Sequence, residues 1–331
     1  MRILGTCFWF GILILAGVAQ SSRPSRPPLQ YSHIPKTLEL SSSEYSLPHF
    51  GFYDEPQCDQ DGNMFFHMNT GQYNDGVILK VSSTAKKSTL FKLSDDYRST
   101  AFSKFTITPS GSLRVLAEDK DGYFIFDFNG DGDMTGHTRL ALPGHPSISQ
   151  FASFDNGLSL LAGFIPKDSK VDAGNSVTAI FDGSGKRVKD VAYSHKFDFK
   201  ADDDMTIGQG YSVAAKDGNF YLLLMDKILV VSSTGEILRT VHFERADARS
   251  IVTKLFVSDG TFAILQRIVN AKDGSVKTLI SVLYADTGEE IGYYTLPEGS
   301  TGHVLCYSRK EGLTAFGYEN KRFTLMNATL R

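Results

Sequence analysis

From residue 36 onward the chain is a series of short runs in which apolar residues alternate or cluster, each broken by Gly, Asp, Asn or Ser. Val, Ile, Leu, Phe and Tyr dominate the runs, which is the composition of strands. No segment keeps an apolar stripe at helical period with capping residues at its ends, so the pattern predicts strands and no long helix. The runs also recur in a fixed order. A strand, a tight turn closing on glycine and a second strand appear as "QCDQDGNMFF", "FTITPSGSLRVL", "FASFDNGLSLLAG", "YSVAAKDGNFYLLL", "LFVSDGTFAIL" and "CYSRKEGLTAFG". The turn glycines are Gly62, Gly111, Gly157, Gly218, Gly260 and Gly312, at intervals of 42 to 61 residues.

Each of the first five copies is followed by a third strand running into a polar turn: "ILKVSSTAKK", "FIFDFNGDGD", "TAIFDGSGKR", "LVVSSTGEIL" and "VLYADTGEEI". A fourth strand ending in "LFKLS", "LALP", "VAYS", "TVHF" or "YTLP" completes the unit. Six units of four antiparallel strands predict an all-β, six-bladed β-propeller. One twisted sheet cannot cover both of its faces, whereas a ring of sheets covers each face with a neighbour and leaves few free edges. The sixth unit has only "HVLCYS", "GLTAFGYE" and "RFTLMN" before the sequence stops. The segment "KTLELSSSEYSLP", residues 36–48, has strand character and ends in the Leu-Pro also found at 142–143 and 296–297. It is predicted to supply the missing outer strand and to close the ring.

The repeated inner strand, the D-G-[NT] turn, the apolar second strand and the later "STGE" or "DTGE" turn resemble the secreted six-bladed propellers of the NHL-repeat and TolB-like group. The resemblance spans residues 36–331 and implies that architecture. For function it implies a choice, because such propellers include receptors, scaffolds and enzymes.

The segment ahead of the repeats changes the picture of location. "MRILGTCFWFGILILAGVAQ" has an early Arg2, an apolar run and then small residues, which predicts a secretory signal peptide over 1–19 cut after Ala19. The run from Ile3 to Val18 is short for a membrane span, so the mature chain is expected to carry no transmembrane segment. Residues 20–35, "QSSRPSRPPLQYSHIP", read as a Pro/Ser-rich linker. The protein is therefore expected to be secreted or periplasmic. The net charge is −3 and the lysines and arginines are scattered, which excludes a nucleic-acid footprint.

Candidate chemistry is sparse. "DFNGDGDMTG" places Asp127, Asn129, Asp131 and Asp133 in the opening of a calcium-loop pattern. An EF-hand loop needs Glu at its twelfth position, and Thr138 stands there. Aligned on its first glycine, "DFNG" matches "DGSG" at 182–185 and "SSTG" at 232–235, so an ordinary hairpin turn with an acidic insertion competes with a looser calcium turn. His49, His145 and His303 all fall between an outer strand and the next inner strand, and Asp202, Asp203 and Asp204 fall in the corresponding connection before the fourth unit. Such connections share one propeller face, and three imidazoles with a carboxylate suit zinc. The histidines sit 13, 12 and 9 residues before their turn glycines, out of register with one another, so solvated polar loops are the simpler account.

Cys58 and Cys306 lie on inner strands of the first and last blades. A disulfide there would lock the ring, but inner strands of adjacent blades stand near the limit for bridging, and buried free thiols are the favoured expectation. "GSGK" at 183–186 lacks the other positions of a phosphate loop. The sequence favours an exported module that binds a ligand, glycan, peptide or envelope protein at the loop face around the channel, with no cofactor firmly indicated and calcium or zinc as the candidates. A metal-dependent lyase or hydrolase at the channel mouth, using His49, His145 and His303, is the alternative.

Overall fold

The computed structural model describes residues 34–46, 56–68, 77–84, 87–93, 101–142, 146–167, 170–191, 211–247, 250–270, 274–297, 303–319 and 322–330. Two strands precede the first blade, β1 (Lys36–Thr37) and β2 (Ser41–Ser46). Blade one is β3 (Gln57–Cys58), β4 (Met64–His67), β5 (Ile78–Val81) and β6 (Ser88–Phe91). Blade two is β7 (Ala101–Ile107), β8 (Leu113–Asp119), β9 (Gly122–Phe128) and β10 (Met134–Arg139). Blade three is β11 (Ser147–Ser153), β12 (Ser159–Lys167), β13 (Lys170–Phe181) and β14 (Arg187–Asp190), and blade four is β15 (Tyr211–Ala214), β16 (Phe220–Leu223), β17 (Lys227–Val231) and β18 (Ile237–His242). Blade five is β19 (Ile251–Ser258), β20 (Thr261–Val269), β21 (Val276–Tyr284) and β22 (Glu290–Thr295), and blade six is β23 (His303–Ser308), β24 (Gly312–Glu319) and β25 (Arg322–Ala328).

Every blade is a meander ordered from the inside outward. The inner strands touch in the series β3, β7, β11, β15, β19, β23 and back to β3, which closes the six-bladed ring. The ring closure is as the sequence predicts: β2 pairs antiparallel with β25 and becomes the fourth strand of blade six. The closure also has a part the sequence does not announce. β1 pairs in parallel with β22, so blade five gains a fifth strand before the chain crosses to blade six.

The core lies between blades. Each of the six interfaces holds one apolar cluster. Within a strand, successive residues face opposite neighbours. Phe65 packs toward blade two and Phe66 toward blade six; Leu222 packs toward blade three, and Tyr221 and Leu223 toward blade five. Burial on both faces is why these strands read as continuous apolar runs rather than as clean alternation. The aromatic pairs of the sequence are blade-to-blade core, for example Phe66 edge-on to Phe316 at 5.5 Å.

One turn geometry recurs. The residue opening the turn donates its N–H to the carbonyl four residues on, and its own carbonyl accepts from the glycine three residues on, as at Asp59, Thr108, Asn129, Asp182 and Ser232. Side chains of the opening residues add bonds to the backbone: Asp182 Oδ1 accepts from Ser184 N at 2.9 Å and Lys186 N at 3.0 Å. This suits Asp, Asn, Ser or Thr to the opening position at these five turns, whereas Phe154 and Ala215 open the same geometry without such a side chain. The glycine adopts positive φ, but not all such glycines are equally constrained. Gly185 (φ +79°) would place a Cβ 2.0 Å from the Arg139 carbonyl oxygen, whereas a Cβ at Gly218 (φ +81°) meets nothing. Gly218→Ala is therefore expected to cost about 1–2 kcal/mol from backbone strain alone. Gly185→Ala should cost roughly 3 kcal/mol or more, because overpacking adds to strain. Equal shifts of the two urea midpoints would contradict this ordering.

Candidate functional site

The inner strands enclose a central cavity of about 470 Å³. It lies at the end where inner strands turn into second strands, and its wall includes Asp59, Thr108, Asp217, Asp259, Ser308 and Glu311 from five blades. The walls are braced by side chains that bond between blades and within them. Gln57 Nε2 donates to the Phe105 carbonyl at 2.7 Å, tying blade one to blade two. The Tyr307 and Thr261 hydroxyls bond at 2.9 Å across blades six and five. Tyr221 donates to Asp217 Oδ2 at 2.5 Å; burial and the adjacent carboxylate both raise its phenol well above the ordinary tyrosine range, so it stays a donor.

Lys254 is the unusual member of this wall. It is 1% exposed, on an inner strand, just after a bulge between Val252 and Lys254. Its ammonium donates to the carbonyl oxygens of Pro56 and, at 3.2 Å, of Leu305, and sits 4.8 Å from the centroid of the Phe256 ring. One cation thus joins blades five, six and one at the place where the ring closes.

Beside it, Cys58 and Cys306 are joined in a disulfide, with Cα atoms 5.6 Å apart. The expectation of free thiols is corrected. A bulge between Val304 and Cys306 accompanies the approach of β23 to β3, and the separation falls inside the bridging range.

The acidic turn also differs from its sequence reading. The positive-φ glycine is Gly132 (φ +96°), not Gly130, so "NGDG" at 129–132 is the counterpart of "DGSG" and "SSTG". Asp131 and Asp133 are ordinary positions of the shared turn, not an insertion. Asn129 Oδ1 accepts from the N–H groups of Asp131 (3.0 Å) and Asp133 (2.9 Å). Asp127 lies on β9 instead, ion-paired with Arg114 Nε at 2.8 Å. The four oxygen donors of the calcium pattern therefore point to different tasks. Among the described residues no three His, Cys, Asp or Glu side chains gather as a metal-binding group.

Of the predicted channel-face residues, His49, His145, Asp202, Asp203 and Asp204 lie outside the described residues, as do the signal peptide and most of the linker. His303 begins β23, at the end opposite the cavity. Its Nδ1 faces Arg267 Nη2 at 3.2 Å and its ring stacks on Phe316 with centroids 5.3 Å apart.

Turn-to-turn contacts carry charge as well. Asp155, the second residue of blade three's inner turn, accepts from Thr108 Oγ1 at 2.5 Å and from Ser110 Oγ on blade two. Burial pushes its carboxyl up, but these two hydroxyls and backbone N–H groups outweigh that and hold it below the ordinary carboxylate value. A depressed folded-state pKa means stability fully present above the unfolded pKa of about 3.9 and lost as pH falls through the folded value. Asp155→Asn is expected to flatten the acid limb of the stability–pH profile below about pH 4. An unchanged acid limb in pH-resolved denaturation would count against it.

No protein-family model matches the chain, and no curated protein matches it. Similarity to solved structures is of fold. The gluconolactonase from Xanthomonas campestris superposes with a TM-score of 0.50 at 10% identity, covering 93% of this chain and 99% of that one. A second structure ascribed to a gluconolactonase gives 0.52 at 11% identity, covering 90% and 95%. The Pan2 WD40 domain of Neurospora crassa gives 0.47 at 11% identity, covering 85% and 90%. The chain is a six-bladed β-propeller of four-stranded blades.

Proposed function

We propose that the protein is an exported binding module whose ligand seats in the central cavity at the turn end of the inner strands. The cavity itself carries the reading: about 470 Å³, walled by five blades, with carboxylates, hydroxyls and aromatic rings converging on one space. Pockets of this size with a few placed polar groups are where soluble proteins hold small ligands or peptide segments. The chemistry of the rim suits a polar ligand. Asp259 and Glu311 are exposed there, and Lys216 is exposed on the turn of blade four, next to blade five.

The test is a calorimetric titration of the protein with neutral oligosaccharides and with short peptides of either charge. One class should bind with single-site stoichiometry, and Lys216→Glu/Glu311→Lys should change its affinity at least tenfold while leaving the melting temperature nearly unchanged. Binding indifferent to both substitutions, or amide protection concentrated around His303, would move the site to the other face. Export is tested separately: the mature protein recovered from medium or periplasm should begin at Gln20, and retention of residues 1–19 in a membrane fraction would overturn that part.

A further inference from the structure

We propose that the Cys58–Cys306 disulfide is a redox latch on one wall of the cavity, holding the inner strand of blade one in place. Among the described residues β3 has two residues, against seven in β7 and eight in β19, and its ladder to β4 has the register pairs Gln57–Phe65 and Cys58–Met64. Its described residues are held to their own sheet by those two pairs and by the Asp59 N–H to Asn63 carbonyl bond that follows them. Its position depends on side-chain ties to other blades: Gln57 to the Phe105 carbonyl, the Lys254 ammonium to the Pro56 carbonyl, and Cys58 to Cys306. Only the last is covalent. The same segment supplies Gln57, Cys58, Asp59 and Gln60 to the cavity wall, so a shift of β3 changes the cavity directly.

Cys58 is half-buried and both cysteines line the cavity, which gives a reductant a route to the bond. The reductant is a dithiol of the Cys-x-x-Cys class. Its thiolate attacks one sulfur, the S–S bond breaks with a mixed disulfide formed, and the second thiol resolves it. The products are two cysteine thiols here and one disulfide in the reductant, with two electrons and two protons transferred. The reduced protein should stay closed as a ring, because β2 remains paired with β25 and Phe66 of blade one still packs edge-on against Phe316 and Phe323 of blade six, in the cluster that Cys306 shares. The released element is the wall strand alone.

The functional meaning of the latch rests on the cavity being the binding site, but the experiment reads strand motion and needs no ligand. Hydrogen exchange of the full chain is followed with and without a small dithiol. Amides of residues 56–68 should exchange at least tenfold faster after reduction, those of β24 and β25 should not, and reoxidation should restore protection. Cys58→Ser/Cys306→Ser should show the fast exchange at the outset and ignore the dithiol. Unchanged exchange at 56–68, loss of protection throughout the ring at once, or two titratable thiols in protein isolated without reductant would each overturn the proposal.

Discussion

Deleting residues 34–46 is expected to be the most damaging change that spares every blade's own hairpins. The segment does two jobs in thirteen residues. Its second half, β2, pairs with β25 over six consecutive positions from Ser41–Asn327 to Ser46–Arg322 and completes blade six. Its first half lies on blade five, where Leu38 donates its N–H to the Thr295 carbonyl at 3.0 Å and is 5% exposed within the cluster shared by blades five and six. Burial of one such leucine contributes about 1.5–3 kcal/mol. The lost ladder adds about 0.5–1.5 kcal/mol for each net hydrogen bond and leaves β25 as a bare edge. The total is on the order of 5 kcal/mol or more, comparable with the whole stability of an ordinary domain. The truncated chain should therefore melt far below the full chain or fail to give a cooperative transition, and aggregate through the exposed edge. Leu38→Ala, which keeps both strands, should cost a smaller amount, about 2–4 kcal/mol. A truncated protein melting within a few degrees of the parent would show that the ring closes without this segment.

The contrast between what the sequence declares and what it conceals is clearest at particular residues. The inner turn glycines are legible because positive φ at a fixed turn position leaves few alternatives to glycine, and all six sit where the repeat placed them with φ between +71° and +94°. At the acidic turn, Gly130 and Gly132 compete for that role. The deciding fact is the opening residue: Asn129 can cap its own turn two and four residues on, and the opening positions Asp182 and Ser232 do the same. The pattern to read was a capping residue three before the glycine, not the first glycine met. The extra pairing of β1 was hidden because two residues carry no periodicity. The bridge between Cys58 and Cys306 was hidden because it depends on how closely two inner strands approach, over a sequence separation of 248. The cavity was hidden most deeply. Its walls come from turns that look like solvent-exposed loop composition when each is read alone, and their convergence exists only once the ring is closed.

Lys254 shows the same concealment and yields the second large effect. In "VTKLFVS" it reads as the polar half of an alternating strand. In the fold it is buried, with the carbonyls of Pro56 and Leu305 as acceptors from two other blades. Lys254→Met keeps most of the stem's packing near Phe256 and removes the charge and its donors. Each carbonyl deprived of a buried partner costs about 1–3 kcal/mol, so the variant is expected to lose roughly 2–5 kcal/mol despite being the more hydrophobic side chain. Lys254→Ala should be worse, since a cavity is added to the unpaired carbonyls. Lys216→Met, on an exposed turn of the same cavity, serves as the control and should stay within about 0.5 kcal/mol of the parent. Because Lys254 and the disulfide both hold blade one's inner strand, their effects should couple: in a double-mutant cycle, Lys254→Met combined with Cys58→Ser/Cys306→Ser should differ from the sum by at least about 0.5 kcal/mol. Simple additivity would mean that the ammonium and the bridge stabilise separate parts of the seam. A stability gain from Lys254→Met would mean that desolvating the ammonium costs more than its carbonyl bonds return, as replacing a buried charge with a well-packed apolar group sometimes shows.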